Sequence, residues 1–192
     1  MVDLSKFDSA AAAIARVIEK FDGQGIFIGG FAVSLVARPR FTEDIDAMIL
    51  QRDRTVGEFL AAFAAEGIRP RNDDPESFAA LYRMLLLVHE DSQIPVDVSL
   101  GMLSFEERAV ERSFLFRSGG IGLRLASAED LVVMKLVAGR PQDVGDVASL
   151  LNSHPELDRA FVHRTVEEFA SVLENDEMVE LARRLVPLER GL

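Results

Sequence analysis

The chain has 192 residues, of which 48% are hydrophobic, 28% charged and 7% aromatic, enough for one ordinary domain or for one with a small helical extension. Cysteine is absent, which excludes disulfides, cysteine-rich zinc sites and cysteine nucleophiles. With 32 acids against 21 bases, a formal charge of −11 argues against extensive non-specific binding to nucleic acid or anionic lipid.

The start, MVDLSKFDSAAAAIARVIEKF, carries charge throughout and lacks the apolar core of a signal peptide. No stretch approaches the about 18 apolar residues of a membrane span, so a cytoplasmic protein without a membrane partner is expected. Ile14, Val17, Ile18 and Phe21 are spaced for the buried face of a helix over 9–21, which Asp22 and Gly23 stop. GIFI then reads as an apolar strand, Gly29-Gly30 as a break, and the next residues as a helix of two turns ending near Arg38-Pro39. The alternation of Ile45, Ala47 and Ile49 predicts a strand, and a helix follows over 55–65. Residues 72–77 read as a polar break. YRMLLLVH and IPVDVSLG read as an antiparallel hairpin, FEERAVERS as a short helix, and FLFR and IGLRL as two further strands.

Helices dominate from Ser127 onward. Ser127 and Asp130 are placed like a capping box, Gly139 is a stop, and Pro141 suits the first turn of the next helix. Two more helices near 156–172 and 175–186 complete an α+β chain: a mixed sheet flanked by helices, then a helical part. The expected organisation is a core over 1–125 and a helical region over 126–192 that completes its cleft.

Chemistry concentrates on two strands. Asp44 and Asp46 flank Ile45, so both carboxylates point one way while Ile45 points the other. Asp97 has the same setting between Val96 and Val98. Three such acids on adjacent strands repel one another unless a cation sits between them, and Mg²⁺ takes hard oxygen ligands of this kind. Taken singly, each is equally well read as a turn cap or a solvated strand end. A strand ending in Gly29-Gly30 and opening into a helix offers backbone N–H groups to a phosphate, although many Gly-Gly pairs are only tight turns. The spacing matches neither the Rossmann nor the P-loop pattern.

Lys135, the only lysine after residue 20, interrupts the apolar run of Leu131, Val132, Val133, Met134, Leu136 and Val137. If buried, its ammonium needs an anion, and a triphosphate is a natural one; otherwise it snorkels from the edge of that face. Arg140 suits a phosphate or an acid. Asp143 and Asp146 either complement the helix dipole or orient Lys135, Arg140 or an acceptor group. Arg38, Arg40, Arg52 and Arg54 flank the Asp44–Asp46 strand as a possible basic rim.

Together Gly29-Gly30, Thr42-Glu43-Asp44-Ile45-Asp46 and Asp97 resemble the pattern of the minimal nucleotidyltransferases of the DNA polymerase β superfamily: a strand, a Gly-Gly or Gly-Ser turn, a helix, S/T-x-D-x-D and a later aspartate. Lys135-Leu136-Val137-Ala138-Gly139-Arg140, followed by Asp143-Val144-Gly145-Asp146, is similar to the K-x-x-A-x-R and D-x-x-D blocks of the AbiEii-like group, toxins of bacterial toxin–antitoxin and phage-abortive systems. Gly30 stands where many active members carry serine. The resemblance implies the nucleotidyltransferase fold and Mg²⁺-dependent transfer of a nucleoside monophosphate from an NTP to an acceptor hydroxyl. Asp44, Asp46 and Asp97 would hold metal and carry catalysis with Lys135. Gly29, Gly30, Lys135, Arg140 and Asp143 would bind the nucleotide.

A tRNA acceptor and a cognate antitoxin are the implied partners of a toxin of this group. Two other readings share the fold: a nucleotidyltransferase modifying a protein partner, and a non-catalytic nucleotide- or partner-binding protein. The acids Glu167, Glu168, Glu174, Asp176, Glu177 and Glu180 are either a dock for a basic partner or a solvated helix face.

Overall fold

Apolar positions recurring at period two build the sheet in a computed structural model that describes residues 7–39, 41–118 and 120–188. The elements run α1 (Asp8–Lys20), β1 (Gly25–Ile28), α2 (Gly29–Val36), β2 (Ile45–Leu50), α3 (Val56–Ala65), β3 (Ile68–Pro70), α4 (Pro75–Tyr82), β4 (Met84–His89), β5 (Pro95–Gly101) and α5 (Ser104–Glu111). They continue with β6 (Phe114–Ser118), β7 (Ile121–Leu125), α6 (Ala128–Ala138), α7 (Pro141–Ser153), α8 (Arg159–Leu173) and α9 (Glu177–Leu185). The chain forms two compact units. One holds the sheet, through Ala32 and again up to Ala126; the other takes Val33–Pro39 together with the helices after Ser127.

In the sheet unit the strand order is β3-β4-β5-β2-β1-β7-β6. β2 runs parallel to β5, and β1 parallel to β7, while the β1/β2, β3/β4, β4/β5 and β6/β7 pairs are antiparallel. This mixed α+β arrangement is the one the order of elements predicted. Register is held by burial: Ile45, Ala47, Val96 and Val98 are all 0% exposed. Burying each large aliphatic side chain contributes about 1.5–3 kcal/mol. A one-residue slip would turn Asp46 or Asp97 into that core, so the apolar residues are what hold the acids on the other face. α1 packs on β7 and α3, and Phe27, Phe31 and Phe7 pack ring against ring beside them, with centroids 5.6–5.8 Å apart.

Two elements escape the sequence reading. β3 has three residues, too few for a periodic signal. α4 begins inside the expected polar break, because Pro75 occupies its first turn and Asp74 caps it through a hydrogen bond from Ser77 N at 3.0 Å. Residues that read as a loop are thus a helix start.

In the helical unit α6 packs on α7, α8 and α9. Leu131, Val132, Val133 and Leu136 are fully buried, so α6 is covered around most of its circumference. Ser127 caps α6 by accepting from Asp130 N at 3.1 Å, and Gly139 ends it in the left-handed region at φ +61°. The end of α2 joins this unit through polar contacts: His154 Nε2 donates to Val36 O at 2.9 Å, and Arg38 N donates to Ser149 Oγ at 3.0 Å. Among the described residues no helix is long and apolar enough to cross a membrane.

Candidate active site

Asp44 lies one residue before β2, and Asp46 is its second residue, paired in register with Asp97 on β5. Parallel register partners project to the same side, so the two acids on neighbouring strands meet. One carboxylate oxygen from each of Asp44, Asp46 and Asp97 lies within 4.8 Å of the others, and all three side chains are partly exposed. This is the one such grouping of potential metal ligands among the described residues. All donors are hard oxygens. Ligand oxygens around Mg²⁺ stand at most about 4.2 Å apart, so small side-chain rotations bring this set onto one cation. The residues fit a divalent metal.

Thr42 and Arg71 both touch the triad. The buried Thr42 hydroxyl donates to Asp44 Oδ1 at 3.0 Å, which orients that carboxylate. Arg71, on the segment after β3, forms an ion pair through Nη2 with Asp97 Oδ1. No local motif marks Arg71, which stands 26 positions from Asp97 in the sequence.

Gly29 follows β1 with no intervening loop and starts α2 at φ +65°. Ile28 pairs in register with Asp46, so the first turn of α2 begins beside the carboxylates. The N–H groups of that turn lie at the positive end of the helix, a suitable site for phosphate oxygens.

The basic rim expected around Asp44–Asp46 does not form from Arg52 and Arg54. Both lie past the opposite end of β2, whose last residue, Leu50, is about 13 Å from Asp46 at about 3.3 Å per residue. Arg52 pairs with Glu107 at 2.6 Å, while Arg54 pairs with Asp22 at 3.3 Å and lies 5.0 Å over the Phe21 ring. Arg38 belongs to the helical unit, and Arg40 lies outside the described residues.

In the helical unit Lys135 is 4% exposed, so it does not snorkel. The anion its burial demands comes from the chain itself. Nζ is 3.0 Å from Asp143 Oδ1 and 2.8 Å from Asp146 Oδ2, both aspartates being 2% exposed. The two acids stand three residues apart on α7 and so share a face. Arg140 adds a second cation: its Nε is 2.9 Å from Asp143 Oδ2, and its backbone N–H donates to the same oxygen at 3.1 Å. Burial by itself would raise the Asp143 pKa, but the hydrogen bonds from Arg140 and Lys135 outweigh it and hold the carboxyl below its ordinary value. Two carboxylates against an ammonium and a guanidinium leave the cluster formally neutral. The side chain of Arg140 remains 57% exposed.

The acids Glu167, Glu168, Glu174, Asp176, Glu177 and Glu180 are all exposed on or between α8 and α9. None belongs to a metal-ligand grouping among the described residues.

The sequence model of the family described as "Nucleotidyl transferase AbiEii toxin, Type IV TA system" matches residues 13–189. No curated protein matches the chain by sequence. Among solved structures, the chain is similar to an antigenic nucleotidyltransferase-like protein from Paracoccidioides brasiliensis, at 12% identity and a TM-score of 0.59, covering 96% of this chain and 98% of that one. It is also similar to the antibiotic-resistance factor ANT(2'')-Ia in solution, at 16% identity and a TM-score of 0.58, covering 94% and 99%. Against a crystal structure of ANT(2'')-Ia in complex with adenylyl-2''-tobramycin the TM-score is 0.55 at 16% identity, covering 88% and 99%. At these identities the likeness is one of fold, the nucleotidyltransferase fold.

Proposed function

The chain belongs to the AbiEii nucleotidyltransferase toxin family, and from that premise we propose that this nucleotidyltransferase moves a nucleoside monophosphate from an NTP to a hydroxyl of tRNA as the toxin of a toxin–antitoxin pair. The observation that carries the reading is the convergence of Asp44, Asp46 and Asp97 from two adjacent strands. Asp44, Asp46 and Asp97 hold Mg²⁺ in this reading. Bound there, Mg²⁺ would supply charge neutralisation for the transfer.

The acceptor oxygen forms a bond to the α-phosphorus, the bond from that phosphorus to the bridging oxygen breaks, and pyrophosphate leaves. Asp97 takes the hydroxyl proton in this reading. Gly29 and Gly30 offer backbone N–H groups to the nucleotide's phosphates. In this reading Arg140 on the helical unit is an exposed cation offered to phosphate, its backbone N–H and guanidinium held by Asp143, which Lys135 holds in turn. Catalysis of this type is mostly positioning and charge compensation.

Family membership supports the toxin role and a partner antitoxin. Incubation with labelled NTPs, Mg²⁺ and a cell extract tests the acceptor: label is expected in small RNA. Label confined to protein would refute the tRNA acceptor while retaining nucleotidyl transfer. No label in any fraction, and no pyrophosphate released, would refute transfer itself.

A further inference from the structure

Asp97 already has a cation. Ile28, Asp46, Asp97 and Leu86 form one continuous row of register partners across β1, β2, β5 and β4. Arg71 extends that row by one strand position, since its backbone N–H donates to Leu86 O at 2.9 Å. Arg71 therefore starts two strands away from Asp97, about 10 Å at the usual strand spacing, a gap that an arginine and an aspartate side chain together span. The guanidinium crosses the row and ends on Asp97 Oδ1.

Three features separate this pair from an ordinary surface ion pair. Its carboxylate is one of the three that meet within 4.8 Å. Clustered carboxylates repel one another, and a cation on one of them offsets part of that repulsion. A guanidinium stays charged at any physiological pH, so it cannot vacate Asp97 by losing a proton. It can vacate by moving, being 39% exposed with a long flexible stem on a connecting segment.

We propose that Arg71 is a built-in counter-ion of Asp97: it occupies that carboxylate until a divalent cation enters and is displaced as that cation binds. The proposal rests on the metal-binding reading of Asp44, Asp46 and Asp97. Arg71 is a positioning residue here, setting how tightly the triad takes metal and holding Asp97 on its face in the meantime. A positive charge beside the triad weakens divalent binding, so its removal should tighten it.

The test is Mn²⁺ affinity, measured by calorimetry or by the spin-resonance signal of free ion, on the full chain and without nucleotide. Arg71→Ala and Arg71→Gln are expected to bind Mn²⁺ about tenfold more tightly than the wild type, the magnitude of one half-exposed charge beside a divalent ion. Arg71→Lys, which keeps the charge, should stay near the wild-type affinity. Without metal, the uncharged variants should melt below the wild type, and Mn²⁺ should raise their melting temperature by more. Equal or weaker Mn²⁺ affinity in both uncharged variants would overturn the role of Arg71. Absence of Mn²⁺ binding in the wild type, with Asp46→Asn indistinguishable from it, would overturn the metal site and this inference with it.

Discussion

Asp46 fills the space that a side chain on Gly29 would need. A Cβ added to Gly29 would lie 1.8 Å from Asp46 Oδ2 and 2.6 Å from Asp46 Cβ, and the backbone there has φ +65°. One residue thus meets two demands, a left-handed turn from β1 straight into α2 and room for a carboxylate. Only glycine meets both.

Gly29→Ala is expected to lose about 1–3 kcal/mol from backbone strain alone, and further stability from the clash. Urea unfolding of Gly29→Ala, Asp46→Ala and the double variant checks this. The double variant should be more stable than the sum of the single losses, since Asp46→Ala removes the clashing oxygen. Strict additivity would mean that the contact carries no strain.

Lys135 is expected to carry stability as well as any role toward nucleotide. Lys135→Met leaves Asp143 and Asp146 buried without their shared ammonium, a loss of about 3–5 kcal/mol for a broken buried pair. Lys135→Met/Asp143→Asn/Asp146→Asn should recover much of it, because no buried charge is then stranded. Chemical denaturation decides, and a single variant that unfolds at the wild-type midpoint would contradict the assignment. Loss of activity on changing Lys135 is informative only beside such a measurement.

Acid should destabilise the fold through Asp143. Its folded-state pKa is depressed, so the unfolded chain binds the proton more readily. The associated stability is fully present above the unfolded value of about 3.9 and is lost as pH falls through the lower folded value. Asp74 and Glu58 act in the same direction, through the hydrogen bonds they accept at the starts of α4 and α3. Melting temperatures from pH 6 down to pH 3 should fall less steeply for Asp143→Asn than for the wild type. Parallel curves would remove Asp143 from the account.

The carboxylate triad should trade stability for function. Asp44→Asn keeps an acceptor for the Thr42 hydroxyl while removing one of three clustered charges. Without metal it is expected to melt at or above the wild-type temperature. With Mg²⁺ and NTP it should lose about 10²–10³-fold in turnover, the scale for removing one charge-stabilising group. A variant that is both less stable and fully active would reverse this reading.

Much of the site could be read from short stretches of chain. Asp44 and Asp46 around Ile45, and Asp97 between two valines, report their shared face through a period of two, which is local geometry. Gly29-Gly30 after an apolar strand, the Ser127 cap and the Gly139 stop are equally local, and all appear where the sequence put them. α4 escaped because Pro75 and Asp74 serve a helix start as readily as a loop, and β3 because three residues show no period.

Counter-charges were a different matter. Burial of Lys135 required an anion, for which the sequence offered a triphosphate or the nearby Asp143 and Asp146; only the packing of α6 on α7 set both aspartates, eight and eleven positions onward, against the ammonium. Only the row from Ile28 across to Leu86 brought Arg71 to Asp97, and only the strand length carried Arg52 and Arg54 away from the triad. Side-chain direction and helix ends depend on a few neighbouring residues and are written in the sequence. Which charges neutralise one another depends on strand register and helix packing, which exist only once distant segments have been brought together.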